Sequence, residues 1–183
     1  MATPTSLPAT FVAGNVLTAA EMNNLRGAFR ILQVVSTTKT DTFSAALSPG
    51  GTASITGLTA TITPTSTDSK VFIIVNIHSV RTNAAEGGLQ ITRGGTSIGA
   101  GTTAGNRTGV VSYVKADSTS NNSMMAITGM YLDSPATTSA TTYGVDLYAV
   151  ATDTYYVNRT DVDSDSSANP RQQSTITVME VSA

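Results

Sequence analysis

The sequence predicts a mainly β protein: an antiparallel β-sandwich or jelly-roll-like domain, preceded by an extended N-terminal arm and one short helix. Three observations carry this expectation. About eight to ten short segments, rich in β-branched or alternating apolar residues, are separated by Gly, Pro, Asn, Asp and Ser turn signals. Helix punctuation occurs at one place alone, around residues 17–29. Charged residues make up 12% of the 183, against about 25% in ordinary soluble domains. Abundant Thr and Ser stand in their place, and Thr suits a pleated surface better than Lys or Glu does.

Residues 1 to about 16 read as an extended arm. Pro4 and Pro8 block helix and push their neighbours toward extended backbone. Phe11, Val12, Val16 and Leu17 give the arm apolar anchors, which suits a segment that docks on another surface; a plain tail is the alternative.

A helix is expected from Ala19 to about Phe29. Thr18 and Glu21 have the spacing of a capping box, in which each side chain takes the other residue's backbone N–H. Leu17 and Met22 flank it at the spacing of a hydrophobic staple. Met22, Leu25 and Phe29 fall on one helix face. Gly27 costs about 1 kcal/mol relative to Ala. So short a helix needs tertiary or intersubunit packing to persist. Phe11, Leu17, Met22, Leu25 and Phe29 are therefore the expected docking or oligomer-interface residues. The division is residues 1–30 as a docking or subunit-swapping segment and residues 31–183 as a display domain.

The β domain begins at Ile31-Leu-Gln-Val-Val35. Ser48-Pro-Gly-Gly51 is a turn, Ala53–Thr63 holds a strand that stops at Pro64, and 64–69 is a loop. Lys70–Val80 is the strongest strand. Val71, Ile73, Val75 and Ile77 line one face; Phe72, Ile74, Asn76, His78 and Val80 line the other. Apolar residues on both faces of its first half predict a central strand buried on both sides there. Asn83–Gly88 reads as a loop, Leu89–Arg93 as a strand, and Gly94-Gly95 as a hairpin turn. A loose Gly/Thr loop spans 99–105. Further strands are expected at 108–115, 124–132, 143–150, 155–159 and 174–181, with loops at 118–122, 133–142 and 161–171. No fixed-period repeat or sustained heptad is present, which argues against a solenoid, a propeller or a coiled-coil shaft.

The chemistry is sparse. Net charge is −2, and the ten Lys and Arg form no basic stripe, so there is no electrostatic footprint for nucleic acid or an anionic membrane. Val71–Val75, the longest apolar run, is far short of the ~20 residues a membrane helix needs. The N-terminus lacks the basic and apolar regions of a signal peptide. With no Cys, disulfides and thiolate chemistry are excluded. His78 is the sole histidine, has no nucleophile elbow near it, and reads as a structural or interface residue. Asp161, Asp163 and Asp165 alternate as hard oxygen donors would, yet Ser166 and Gln172 stand where a hand-type calcium loop needs Gly and Glu; a solvated acidic loop is the plainer reading. Asp133, Asp146, Asp153 and Glu180 are the carboxylates a glycosidase would have to draw on, and none carries a local signature. Neither Gly94-Gly95 nor Gly99-Ala-Gly101 has the pattern of a phosphate-binding loop. The six Tyr read as core or rim residues before recognition residues. No catalytic residue and no cofactor is expected.

With these segments laid out, the chain resembles a family of tailed-bacteriophage virion surface proteins, tail-fibre-like or capsid-decoration-like, common in aquatic phages. The resemblance lies in Val16-Leu-Thr-Ala-Ala-Glu-Met-Asn-Asn-Leu-Arg26, Ile31-Leu-Gln-Val-Val-Ser-Thr-Thr-Lys-Thr-Asp-Thr-Phe43, Gly57–Pro64, Ser69–Val75, Leu132-Asp-Ser-Pro135 and Ser174–Ala183. It implies a β-sandwich head, commonly a homotrimer, joined to the outer surface of the virion by its N-terminal segment. The implied partners are further copies of itself and the major capsid or tail proteins, with a host-surface glycan or receptor if the role is fibre-like. No catalytic or metal-binding residues come with the resemblance. The absence of a shaft favours a capsid decoration (cement) protein over a short tail fibre or receptor-binding knob. A glycan-degrading spike and a metal- or glycan-binding module are the other classes to test.

Overall fold

A computed structural model describes residues 16, 18, 19, 31–81, 86–115 and 124–182. Ala19 has helical backbone. The rest of the expected helix, and with it Phe11, Leu17, Met22, Leu25 and Phe29, lies outside the described residues.

Eleven strands form among the described residues: β1 (Ile31–Lys39), β2 (Phe43–Leu47), β3 (Thr52–Ile62), β4 (Lys70–Arg81), β5 (Glu86–Arg93), β6 (Thr96–Ile98), β7 (Ser112–Lys115), β8 (Met125–Asp133), β9 (Thr141–Tyr148), β10 (Asp153–Val157) and β11 (Ser174–Val181). All pairings between them are antiparallel, in two sheets that pack face to face as a β-sandwich.

Three of these strands continue an earlier one in line. β10 and β11 pair with the same edge of β4, Val157 opposite Ser79 and Thr175 opposite Asn76. β2 pairs β10 and β1 pairs β11, so β1 and β2 form one interrupted edge. β6 and β7 likewise share one edge of β5. Eight strand positions remain, and the first pairs the eighth, the second the seventh, the third the sixth and the fourth the fifth. The sheets run first–eighth–third–sixth and second–seventh–fourth–fifth. That is the winding of a jelly roll.

The interruptions have a physical anchor. Residues 40–42 leave one strand and 158–173 leave its neighbour at the same level. Asn158 sits there with φ of 62° and is fully buried. Its Nδ2 donates to the carbonyls of Lys39 (2.9 Å) and Asp41 (3.0 Å), and its Oδ1 accepts from Ser174 Oγ (2.7 Å). Its N–H donates to the His78 carbonyl at 3.0 Å, and the His78 N–H donates to Ser174 Oγ at 3.2 Å. The backbone groups that the missing ladder would have left unpaired on β4 are thus satisfied.

Between the sheets, Val71, Ile73, Val75 and Ile77 meet Ile55, Leu58, Leu89, Ile91, Val145 and Leu147, all buried. Tyr143 and Tyr155 are the largest fully buried side chains, and Tyr131 packs on the core from its margin. Glycines in strands make room for this packing. A Cβ on Gly88 would lie 3.0 Å from the Tyr148 ring, and one on Gly129 would fall on the Leu89 side chain and 2.9 Å from Val111 Cγ1. This explains a difference from expectation: Glu86-Gly87-Gly88, read as loop, is the start of β5, where glycine admits Tyr148. The Gly94-Gly95 hairpin is as expected, with both φ angles positive (56° and 82°) as a type I′ turn requires.

Candidate functional site

The groups that chemistry would use are scattered and engaged. Asp133 ends β8, where its carboxylate accepts from Arg93 Nη1 (3.0 and 2.8 Å) and from the Tyr143 hydroxyl (2.8 Å). Since β8 belongs to one sheet and Arg93 and Tyr143 to the other, Asp133 clamps the sandwich shut at that end. Burial, then the Asp133 carboxylate, pushes the Tyr143 phenol well above its ordinary value. Glu180 is fully buried on β11. It accepts from Gln33 Nε2 and from Thr65 N and Oγ1, each at 2.7 Å. Burial pushes its carboxyl up, but the hydrogen bonds from Gln33, Thr65 and Ser69 outweigh it and hold the group below the ordinary glutamate value. Asp146 accepts from Ser54 Oγ at 2.7 Å on the outside of the other sheet. Asp153 accepts the Thr154 N–H at 2.8 Å beside a recess lined by Ala46–Ser48 and Thr152–Thr154. Of the four candidate carboxylates, Asp133 and Glu180 come to one level of the sandwich, and each is turned into its own network.

In the acidic loop, Asp163 pairs with Arg159 Nη1 (3.4 Å) and with Arg171 Nη1. Arg159 also stacks over the Tyr156 ring at 4.4 Å and donates to the Asp161 carbonyl at 2.6 Å, tying the loop to the outside of β10. Asp165 is exposed. The three aspartates are not gathered round a common point by these contacts, and no group of three or more His, Asp or Glu placed to hold a metal occurs among the described residues. Nor is any helix among them long and apolar enough to cross a membrane. His78, half-buried on the outside of β4, has Nδ1 at 2.8 Å from the Gln173 carbonyl. That oxygen takes a hydrogen bond only if Nδ1 carries the proton, which makes His78 a fastener of the 158–173 excursion.

What remains is a surface. The outer face of the β1–β11–β4–β8 sheet can be read row by row from the register. One row is Val34, Met179, Phe72, Leu132. The next is Ser36, Thr177, Ile74, Met130. The third is Thr38, Thr175, Asn76, Thr128, wholly polar. Val34 is 56% exposed, Leu132 53% and Met130 64%. Ile31 and Val181 pair just beyond the first row, and Ile31 is 54% exposed. An apolar band thus crosses all four strands at the end where β1 begins. The other sheet contrasts with it: Thr61 and Thr142 share a hydroxyl hydrogen bond of 2.8 Å, and Thr52, Ser54 and Thr59 face outward with them.

This band corrects the expectation of two-sided burial in β4. The inner residues are buried, whereas Phe72 and Ile74 are half-buried, and no second layer lies over them among the described residues. Strand patterning alone does not single out Val34, Met130, Leu132 and Met179. The signal was there in β8, whose outward positions carry Met130 and Leu132 where a solvated edge strand would carry charge.

No protein-family model and no curated protein matches this chain.

Proposed function

We propose that this protein is a non-enzymatic structural component of a tailed-phage virion, a homotrimeric module on the particle's outer surface, and specifically a capsid decoration protein that strengthens the head. One observation carries the assembly part of the reading: the apolar band on one outer face of the jelly roll, where the outward positions of β3 on the opposite face are Thr, Ser and Gly. A contiguous apolar patch of that kind on a small domain marks a protein contact. The networks around Asp133, Glu180 and Asp163 support the non-enzymatic part, because each carboxylate is held by fixed partners. The fold adds an analogy, since jelly rolls recur in viral capsid and lectin domains as well as in cupins. The resemblance around Val16–Arg26 and Ile31–Phe43 supplies the phage.

The reading is tested on particles. Immunogold labelling or imaging should place the protein on the head, and particles lacking it should release DNA at a lower temperature than wild type. Labelling at the tail tip, together with binding of the purified protein to host cells, would assign it instead to a short tail fibre. Hydrolysis of host polysaccharide, abolished by one Asp substitution, would overturn the non-enzymatic reading.

A further inference from the structure

We propose that the apolar band on the outer face of the β1–β11–β4–β8 sheet seats residues 17–29 of a neighbouring copy of this chain. The inference rests on the reading of the protein as an assembly module and names the occupant of its surface.

The shape of the band sets the occupant. It runs from edge to edge across four strands, from Val34 to Leu132. A partner that paired with the edge of β8 left open among the described residues would cover Met130 and Leu132 and leave Val34 and Ile31 in water. Three interstrand gaps of about 4.8 Å make a band ~14 Å wide. A helix of the eleven residues 19–29 is ~16 Å long at 1.5 Å per residue. Met22, Leu25 and Phe29 would supply one apolar stripe to match one apolar row. Such a helix is too short to hold its shape without a surface to lie on.

Position starts the segment beside this face. The segment enters the body at Ile31, which is exposed at the corner of the band. The polar third row lies farther along the strands, away from that entry.

The linker decides between the chain's own sheet and a neighbour's. Arg30 alone separates Phe29 from Ile31. Helix-to-strand connections that fold back usually take about 2–6 residues. Hinges too short to reverse direct a segment onto another copy, the geometry of a domain swap. Val16, the described residue just before the segment, is 90% exposed in the single chain.

The absence of Cys makes the test direct. Two differently tagged full-length variants, Leu25→Cys and Met130→Cys, are unfolded together, refolded and oxidised. The expected result is a disulfide joining the two tags, well above the yield for Leu25→Cys mixed with Thr61→Cys on the opposite face. In parallel, wild type should sediment as a multiple of 18.8 kDa and Met130→Asp/Leu132→Asp as the single chain. Both residues are more than half exposed, so this variant keeps its fold. A disulfide forming within one chain of a Leu25→Cys/Met130→Cys double variant, a single-chain wild type, or unchanged sedimentation of the aspartate variant would overturn the proposal. So would cross-linking no better than the Thr61→Cys control. If these fail while Leu25→Asp/Phe29→Asp still loses its place on the particle, the occupant is a particle protein and the assembly reading stands.

Discussion

Asp133 and Glu180 flank the same residue, Val71, from the two strands on either side of β4. Both point into the sandwich, and both are almost wholly removed from water. With strands about 4.8 Å apart, their backbones stand ~10 Å from each other. At that spacing two carboxylates with open lone pairs would suggest acid–base chemistry. Here Arg93 and Tyr143 hold one, and Gln33, Thr65 and Ser69 hold the other, so the pair closes the end of the jelly roll.

Glu180 makes stability depend on acid. Its folded-state carboxyl titrates below the ordinary value of 4.5. The contribution is complete above that value and is lost as pH falls through the lower, folded one. Wild type should lose stability toward acid over that window, while Glu180→Gln should be less stable at pH 7 and flatter below pH 4.5. Glu180→Ala should cost about 3 kcal/mol at neutral pH, from several lost charge-assisted bonds in a buried site. Urea midpoints measured across pH check both; equal acid slopes in wild type and Glu180→Gln would refute the assignment.

Tyr143 acts at the other extreme. Its phenol is raised above the ordinary value of 10 by burial and by Asp133. Above pH 10 the unfolded chain releases this proton and the folded one retains it, so stability falls as pH rises. Tyr143→Phe removes that alkaline loss. At pH 7 it should cost about 2 kcal/mol, because Asp133 keeps Arg93 but loses a buried donor. Thermal melts at pH 7 and above pH 10 measure the crossover.

Asn158 holds two interrupted strands together, and its backbone lies in the left-handed region. Asn158→Ala loses the amide contacts and keeps a Cβ in a conformation that costs about 1–2 kcal/mol without the local hydrogen bonding by which Asn tolerates it. Asn158→Gly loses the same contacts but is freed of the Cβ that the left-handed backbone disfavours. The alanine variant should therefore unfold at lower denaturant than the glycine variant, which in turn falls below wild type. Equal midpoints for the two variants would mean that the backbone conformation relaxes without cost.

Gly129 tests the packing between the sheets. A side chain there meets Leu89 and Val111. Gly129→Ala should destabilise by about 1–3 kcal/mol through overpacking, and Leu89→Ala in the same chain should recover part of it. A double-mutant cycle on unfolding free energies reads the coupling directly.

Which of these features a reader of the sequence can see depends on the range of the interaction. The two faces of β4 are legible because alternation is local. The jelly-roll pairing is not, because alternation assigns a face and leaves the partner open: nothing near Val71 names Glu180 or Asp133. Gly87-Gly88 reads as loop because glycine usually breaks strands, and the Tyr148 ring that requires it lies sixty residues on. The acidic loop shows the same limit. Arg159 stands four residues from Asp163 and is visible in the sequence, whereas Arg171 joins it only because the excursion folds back. Phe72 and Ile74 read as covered, since a sequence does not say whether the covering layer belongs to the same chain.

The last prediction separates folding from assembly. Met130 and Leu132 project from the sheet and contribute little to the single chain's stability, because surface changes of this kind usually stay within about 0.5 kcal/mol. Ile127, on the same strand, and Ile73, on the neighbouring β4, face inward and are buried. Met130→Asp/Leu132→Asp should therefore melt close to wild type diluted to single chains, yet fail to incorporate when supplied to particles lacking the protein. Ile73→Val should do the reverse: a loss of about 1 kcal/mol in stability with normal incorporation. Melting curves and quantitative gels of purified particles give both readouts. Normal incorporation of the aspartate variant would remove the outer face of this sheet from the assembly.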